Sequence, residues 1–295
     1  MNRWLSAFRL RTLPLSLSGI IAGSAAAYAT NAWDGLIFSL AIATTLFLQI
    51  LSNLANDLGD SQKGADNENR VGPTRAVQSG EISQKQMKNA VVLFALLSLI
   101  SAAFLIVVAK ENLTDNVLYF YLFLAIASII AAITYTVGKK AYGYHGLGDI
   151  MVFIFFGLVS VLGVYSLYTQ FSYHLIFLAA TFGFLSTAVL NLNNLRDHQN
   201  DKNVGKRTLV VHLGWNKAKF YHYFLVVSGL ITYAFYCLLD NHILGLLGLL
   251  VAFPLFKHLV KVKTTTDPKL LDSELKVIAL STFSLSILYG LTLFL

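Results

Sequence analysis

The chain has 295 residues, of which 56% are hydrophobic and only 13% are charged. Soluble domains carry about 25% charged residues, so this composition excludes an ordinary soluble protein and predicts an integral membrane protein. The single cysteine, Cys237, excludes a disulfide framework and a cysteine-based metal site. Basic loops on the cytoplasmic side of a bilayer explain the net charge of +7 better than nucleic-acid binding does.

Apolar runs of about 20 residues, long enough to cross a bilayer as helices, follow one another along the chain. The first run has no clear signal-peptide cleavage site, so we expect it to be retained as a membrane helix. The nine predicted spans are 13–30, 33–54, 87–109, 117–137, 148–167, 173–195, 215–239, 243–262 and 275–295. The sequence therefore predicts an all-α membrane protein with nine transmembrane helices.

The placement of Lys and Arg provides a separate test of this topology. With nine spans, all but one of the 22 basic residues lie at the N-terminus or in or beside alternate loops on one side; the exception is Lys110. Because positive loops remain in the cytoplasm, the N-terminus is predicted to be cytoplasmic and the protein to lie in the cytoplasmic (inner) membrane. We expect one domain, 1–295, with four-helix halves 1–140 and 141–262 and a ninth helix.

Two clusters of Asn and Asp occur where the second and sixth spans run into cytoplasmic loops. Their members are Asn53, Asp57 and Asp60 in the first cluster, and Asn193, Asp197 and Asp201 in the second. If each helix continues, spacings of three and four residues put each set on one helix face. We therefore expect both helices to present polar side chains to a common site that faces the cytoplasm.

Carboxylates close to the hydrocarbon region need a counter-charge, which makes these aspartates candidates for function. Clustered oxygen ligands without cysteine suit Mg²⁺, which commonly joins carboxylates to phosphates. Basic residues follow both clusters: Lys63, Arg70, Arg75, Lys202, Lys206 and Arg207. Together these features predict a magnesium diphosphate site. The alternatives are loop acids paired with loop bases, or a secondary transporter, whose acids would lie nearer the membrane midplane.

Further motifs accompany the clusters in the first six spans. They are Arg11-Thr12-Leu13-Pro14-Leu15, Leu51-Ser52-Asn53-Leu54-Ala55-Asn56-Asp57, Arg70-Val71-Gly72-Pro73-Thr74-Arg75, Thr134-Tyr135-Thr136-Val137-Gly138, Gly143-Tyr144-His145-Gly146-Leu147-Gly148-Asp149 and Asn191-Leu192-Asn193-Asn194-Leu195-Arg196-Asp197. As a set they resemble the UbiA superfamily of intramembrane aromatic prenyltransferases. The stretch 70–75 is similar to the naphthoate branch rather than the 4-hydroxybenzoate branch, which typically has Arg-Thr-x-x-Arg-Pro there. The last three spans match only in hydrophobicity and position.

The resemblance implies a UbiA-type bundle that transfers a polyprenyl group from polyprenyl diphosphate to 1,4-dihydroxy-2-naphthoate. Carbon dioxide and diphosphate would be released, and the product would be a demethylmenaquinol of menaquinone biosynthesis. Other aromatic acceptors, such as 4-hydroxybenzoate, stay open. The implied magnesium ligands are Asp57, Asp60, Asp197 and Asp201. The implied ligand-orienting or phosphate-binding residues are Asn53, Asn193, Lys63, Arg75 and Arg207, with Arg70 and Lys206 as further candidates.

Four other residues each have two interpretations. The ring of Tyr135 either stabilises an allylic cation or belongs to the interfacial aromatic belt. Asp66 either joins the first cluster or holds its loop. His145 is either a base or acceptor contact or a polar loop residue. Asp149 either positions the acceptor or caps the fifth span.

Overall fold

A computed structural model describes residues 3–295, and all regular secondary structure in this range is helical. The α-helices are α1 (Arg3–Phe8), α2 (Leu13–Ala29), α3 (Gly35–Gln62), α4 (Gln84–Ala109), α5 (Asp115–Thr134), α6 (Gly148–Phe153), α7 (Leu175–Asn203), α8 (Leu209–Leu213), α9 (Trp215–Leu239), α10 (Ala252–Thr264) and α11 (Asp272–Thr292). A π-helix, Ile154–Gly163, extends α6, and a 3₁₀-helix, Ile243–Val251, leads into α10. The predicted all-α fold is confirmed.

Eight helices within residues 3–295 are long and apolar enough to cross a membrane. Each coincides with a predicted span, and the remaining predicted span coincides with a shorter apolar helix, Gly148–Gly163. The chain is therefore an integral membrane protein. Nine crossings, the cytoplasmic N-terminus and the division into two halves stay predictions.

The two helices that carry the aspartate clusters run further than the predicted spans. Helix α3 has 28 residues and α7 has 29. At 1.5 Å per residue each is about 42 Å long, whereas the hydrocarbon core is about 30 Å thick. Both helices therefore continue through their clusters, as the one-face arrangement requires, and the last turns can extend beyond the hydrocarbon.

Local capping determines where two of the long helices begin. The Asp34 carboxylate accepts hydrogen bonds from the backbone N–H groups of Leu36 and Ile37, both at 2.8 Å, and so caps α3. Ser83 and Gln86 form a reciprocal capping box at the start of α4. These side chains satisfy amides that have no partner inside the helix, which fixes the starting points of the helices.

The helices pack in two groups joined by α2. Helix α3 packs on α4 and α5, whereas α7 packs on α6 with its π-helical extension, on α9 and on α11. Helix α2 contacts α3, α11 and the π-helix. The outer faces of α4 and α5 expose large apolar side chains, such as Phe104, Val107 and Phe123. Exposed apolar faces of this kind suit contact with lipid.

Helices α2 and α11 run parallel, side by side. At their C-terminal ends, a Cβ atom on Gly290 would lie 3.7 Å from Ala25 Cβ, and the rings of Tyr28 and Phe294 have centroids 4.9 Å apart. At their N-terminal ends, Thr12, just before α2, bonds Asn53, and Asp272, the first residue of α11, bonds Arg196. These ends therefore lie at the end of the bundle that carries the aspartate clusters, on the side where α3 and α7 finish.

Gly59 allows the end of α3 to approach the segment after α5. A Cβ atom at this position would lie 2.5 Å from Thr136 Oγ1 and 2.6 Å from the Thr136 carbonyl carbon. We expect Gly59→Ala to lower the free energy of unfolding by about 1–3 kcal/mol, because the added methyl group overpacks this contact. Thermal unfolding of the detergent-solubilised protein measures the effect.

Gly290→Ala is the matched control for this substitution. Its Cβ would meet only Ala25, at an ordinary van der Waals distance of 3.7 Å. Alanine also favours a helix interior over glycine by about 1 kcal/mol, so this variant should be at least as stable as the wild type. A Gly59→Ala protein as stable as Gly290→Ala would contradict the tight contact at Thr136.

Candidate active site

The carboxylates of the first cluster have different surroundings. Asp57 is buried and accepts backbone hydrogen bonds from Ala76 at 3.2 Å and Val77 at 3.4 Å. It thereby holds the loop between α3 and α4. Asp60 Oδ1 accepts a hydrogen bond from the Tyr144 hydroxyl at 2.7 Å. Asp60 is thus held by a side chain from a distant loop and, within residues 3–295, accepts no hydrogen bond from a backbone amide.

Asn53 fixes the turn between α1 and α2. Its Nδ2 donates to the Phe8 carbonyl oxygen at 2.9 Å and to Thr12 Oγ1 at 3.1 Å. Arg9, in this turn, has a φ of 51°, a left-handed backbone conformation that is uncommon for a residue other than glycine. The strained turn brings Arg9 and Arg11 to the wall of a central cavity, which is described below.

The second cluster is organised around the buried guanidinium of Arg196. Its Nη2 and Nε atoms donate to the two oxygens of Asp197 at 2.6 and 3.1 Å, in a bidentate pair. Nη2 also donates to Asn193 Oδ1 at 2.8 Å, and Nη1 donates to Asp272 Oδ1 at 2.6 Å. This pairing fixes Asp197 and joins α7 to the first turn of α11.

Lys206 connects the two clusters. Its Nζ lies 3.6 Å from Asp60 Oδ2 and 4.0 Å from Asp201 Oδ1. Burial lowers the pKa of the Lys206 ammonium, but Asp60 and Asp201 outweigh this effect and hold the pKa above its ordinary value. The ammonium is therefore a fixed positive charge between the ends of α3 and α7.

The loop between α3 and α4 adds two arginines to the same region. Asp66 Oδ1 lies 3.3 Å from Arg70 Nε and 3.8 Å from Arg75 Nε, and Arg70 Nη2 lies 3.6 Å from Asp197 Oδ2. Burial, together with Asp60, raises the pKa of Asp66 to about 6. Asp66 is thus the acidic partner of both loop arginines.

A cavity of about 810 Å³ lies inside the bundle and is surrounded by helices α2, α3, α4, α5, α6, α7 and α11. One end is lined mainly by charged and amide side chains. These are Arg9, Arg11, Asn53, Asn56, Asp60, Arg70, Arg75, Asn193, Asn194, Arg196, Asp197, Asp201, Lys206, Asp272 and Lys276. Apolar residues of α4, of α5 and of the π-helix that extends α6 line another part, including Leu105, Ile106, Leu124, Phe155, Phe156 and Val159. A ligand with an anionic head and an apolar tail matches this distribution.

Nine of the predicted site residues line this cavity. They are Asn53, Asp60, Arg70, Arg75, Tyr135, Asn193, Asp197, Asp201 and Lys206. Three others lie behind its wall: Asp57 and Asp66, described above, and Lys63. Lys63 Nζ donates to the Thr136 carbonyl oxygen at 2.5 Å and lies 4.1 Å from the centroid of the Tyr144 ring.

The remaining three predicted residues lie outside the cavity wall. His145 and Arg207 are exposed. Asp149 is buried in the first turn of α6, where Tyr221 bonds its side chain. Its predicted capping role is not seen, because Leu147 occupies the N-cap position of that helix.

Sequence reasoning missed several residues of the site. Tyr144 lies in a glycine-rich loop whose sequence contains no signal for a bond to Asp60. The sequence does contain a signal for Arg196: it lies three residues after Asn193 and next to Asp197, so it falls within the second cluster. Arg9 belongs to the basic N-terminal segment, whose charge indicates only the cytoplasmic side, and the structure places it in the cavity.

The polar end of the cavity supplies oxygen donors that suit a metal ion shared with a ligand. Within residues 3–295, no group of three or more His, Cys, Asp or Glu side chains is arranged to hold a metal by itself. Asp60, Asp197 and Asp201 nevertheless face one cavity with oxygen ligands. This set fits a hard divalent ion that the protein shares with an anionic ligand.

Two known proteins are similar to this chain over most of its length. The chain is 42% identical to the 1,4-dihydroxy-2-naphthoate octaprenyltransferase of Haemophilus influenzae, over 99% of this chain and 96% of that protein. It is 46% identical to the enzyme of that name from Escherichia coli, over 90% of this chain and 86% of that protein.

Solved structures show the same fold. A UbiA homologue from Archaeoglobus fulgidus, 16% identical, superposes with a TM-score of 0.69 over 98% of this chain and 99% of that one. The form of that homologue bound to GPP and Mg²⁺ gives a TM-score of 0.63 at 17% identity, with the same coverage. The UbiA prenyltransferase family matches residues 16–283. The two aspartate clusters and nearly all of the helical bundle lie within that match, and the chain belongs to the UbiA prenyltransferase family.

Proposed function

We propose that the protein transfers a polyprenyl group from polyprenyl diphosphate to 1,4-dihydroxy-2-naphthoate. Carbon dioxide and diphosphate leave, and the product is a demethylmenaquinol for menaquinone biosynthesis. The names of the relatives at 42% and 46% identity support this reaction. The observation that carries the proposal is the cavity, which joins a cationic end to an apolar part. A donor with a diphosphate head and a hydrocarbon tail matches both.

The position of the basic residues supports an active site at the cytoplasmic face of a cytoplasmic (inner) membrane. The charged end of the cavity lies at the end of the bundle where α3 and α7 finish, next to the loops that carry the predicted cytoplasmic lysines and arginines. By the positive-inside rule this end faces the cytoplasm. A water-soluble acceptor would reach the site from that side.

The diphosphate binds among the arginines of the polar end. Arg9 Nη2 and Arg75 Nε are buried nitrogens without a hydrogen-bond partner in the described chain. Unsatisfied buried donors are rare in proteins, and phosphate oxygens would satisfy both. Lys206 adds a fixed positive charge between the clusters. These three residues are therefore the phosphate contacts that the geometry favours, in place of Lys63 and Arg207.

Asp60, Asp197 and Asp201 would hold Mg²⁺ together with the diphosphate. When bound, this ion neutralises charge on the diphosphate as the carbon–oxygen bond breaks. The Archaeoglobus fulgidus homologue bound to GPP and Mg²⁺ supports this choice of metal. Arg196 holds the Asp197 carboxylate in place, and Asp57 positions the loop that carries Arg75.

Tyr135 lies at the boundary between the polar and apolar parts of the cavity. Its ring packs edge to face against Tyr142, with centroids 5.3 Å apart, and glycines at 143 and 148 lie against it. An aromatic face there would stabilise the allylic cation that forms when the diphosphate leaves. The ring also excludes water, which would otherwise capture the cation.

The chemistry of the acceptor agrees with the residues of the cavity. In 1,4-dihydroxy-2-naphthoate the ring carbon that attacks the prenyl cation bears the carboxylate. The electron pair left by departing CO₂ restores the aromatic ring. No ring proton has to be removed, so no general base is needed for that step. The described lining of the cavity contains no histidine or glutamate. Prenylation of 4-hydroxybenzoate, by contrast, removes a ring proton.

Product analysis tests the acceptor. Purified protein is incubated with a polyprenyl diphosphate, Mg²⁺ and each candidate acceptor, and the products are identified by mass. We expect a prenylated naphthalenediol that lacks the carboxyl group, since CO₂ leaves. A prenylated 4-hydroxybenzoate that retains its carboxyl group as the main product would overturn the acceptor, and no prenylated product with any acceptor would overturn the function.

Asparagine substitutions test the aspartates that line the cavity. We expect Asp60→Asn and Asp201→Asn to lower kcat at least about 100-fold, because each removes a carboxylate from the metal and cation site. Thermal stability should also fall, since each substitution leaves the buried Lys206 ammonium with one carboxylate partner fewer. Asp57→Asn should lower stability as well, because Asp57 holds the loop at Ala76 and Val77.

Asp115→Asn is the control for these variants. Asp115 is exposed in the first turn of α5 and does not line the cavity, so its removal should leave kcat unchanged. Wild-type turnover in both Asp60→Asn and Asp201→Asn would contradict their assignment to the metal site.

Removal of metal provides an independent check. EDTA should abolish turnover, because the cations of the polar end are largely paired with aspartates and cannot neutralise the diphosphate alone. Added Mg²⁺ should restore the rate, whereas Ca²⁺, which prefers a larger and more flexible oxygen shell, should restore it less. Full activity in EDTA would rule out a metal-dependent reaction.

A further inference from the structure

Seven cations line the cavity, and they differ in whether they have an acidic partner. Four form ion pairs with aspartates: Arg70, Arg75, Arg196 and Lys206. Arg9, Arg11 and Lys276 form none within residues 3–295. Arg9 is electrostatically coupled to Asp57, Asp60 and Asp66, and so belongs to the diphosphate region. Arg11 and Lys276 remain to be explained.

The packing of α2 against α11 places these two residues at the same level. Lys276 follows Arg11 by the same number of residues as Gly290 follows Ala25, and the latter two positions are in contact. The helices are parallel and rise equally per residue, apart from the single 3₁₀ turn at Arg11. Both side chains are exposed and line the cavity wall, so two positive charges face one space.

Within residues 3–295, no aspartate or glutamate of the cavity wall forms an ion pair with Arg11 or Lys276. The nearest acid on the same face of α11 is Asp272, one turn before Lys276, and its carboxylate is bonded to Arg196 at 2.6 Å. Neighbouring like charges repel, and an anion between them removes the repulsion. The pair is therefore suited to an anionic ligand.

The wall beside the pair is apolar. Pro14 and Leu15 of α2 and Ala279 and Leu280 of α11 line the cavity just beyond the two cations. A flat ring that carries one carboxylate fits this surface, with its charge at the cations and its ring against the aliphatic side chains. The apolar residues of α4, α5 and α6 form a different part of the lining and are available for the prenyl tail.

We propose that Arg11 and Lys276 bind the carboxylate of the aromatic acceptor and thereby select carboxylated acceptors. The assignment rests on the proposed function, since it identifies the acceptor end of that site. Binding the carboxylate orients the ring carbon that bears it, which is the carbon that attacks the prenyl cation. Loss of CO₂ removes the charge that the pair binds, so the product is released from it.

The test compares ligands with and without the carboxylate. Binding of 1-hydroxy-2-naphthoate and of 1-naphthol to the purified full-length protein is measured by titration, for the wild type, Arg11→Gln and Lys276→Gln. We expect each substitution to weaken the binding of 1-hydroxy-2-naphthoate about tenfold, because a charge-assisted hydrogen bond is lost. The affinity for 1-naphthol should be unchanged. The KM for 1,4-dihydroxy-2-naphthoate should rise similarly, with an unchanged KM for polyprenyl diphosphate.

Lys269→Gln is the matched control. Lys269 is an exposed lysine just before α11 that does not line the cavity, so its loss should not affect either ligand. Equal weakening of both ligands in the Arg11 and Lys276 variants would overturn the assignment. So would a wild type that binds the two ligands equally. The binding titration is independent of turnover, so failure of the proposed transfer reaction would be seen separately as an absence of prenylated product.

Discussion

The ammonium of Lys206, fixed between Asp60 and Asp201, is the interaction on which the rest of the site depends. Carboxylates at the ends of membrane helices are costly unless a positive charge lies beside them. Here one cation serves carboxylates from α3 and from α7, at 3.6 and 4.0 Å. It therefore draws together the ends of two helices whose clusters are far apart in the chain, and the cavity lies between them.

The distribution of charge within this end separates residues that hold the structure from residues that can bind a ligand. Arg196 is committed to Asp197, Asn193 and Asp272, so it fixes the position of a carboxylate and has little capacity left for phosphate. Arg9 and Arg75 each retain a buried nitrogen without a hydrogen-bond partner in the described residues. The site is thus a rigid frame of paired charges with a few unpaired donors, as preorganised electrostatic stabilisation requires.

The helices and the clustering of the aspartates could be predicted from local sequence signals. Apolar runs predicted the helices, and the spacing of Asn53, Asp57 and Asp60 predicted a shared helix face once α3 continued through them. The individual roles could not be predicted in the same way. Asp57 and Asp60 are three residues apart, yet one bonds the backbone of a loop and the other faces the cavity. That difference arises from how distant segments fold over the end of the helix.

The sequence by itself determined an all-α membrane protein with two aspartate-bearing helix ends, because hydropathy and helical periodicity are properties of neighbouring residues. Only the tertiary structure decided which charges became partners. Tyr144 reaches Asp60, and Arg11 is brought level with Lys276, through contacts between segments remote in the chain. Electrostatic pairing depends on distances of a few ångströms in space, and the linear order of residues does not contain those distances.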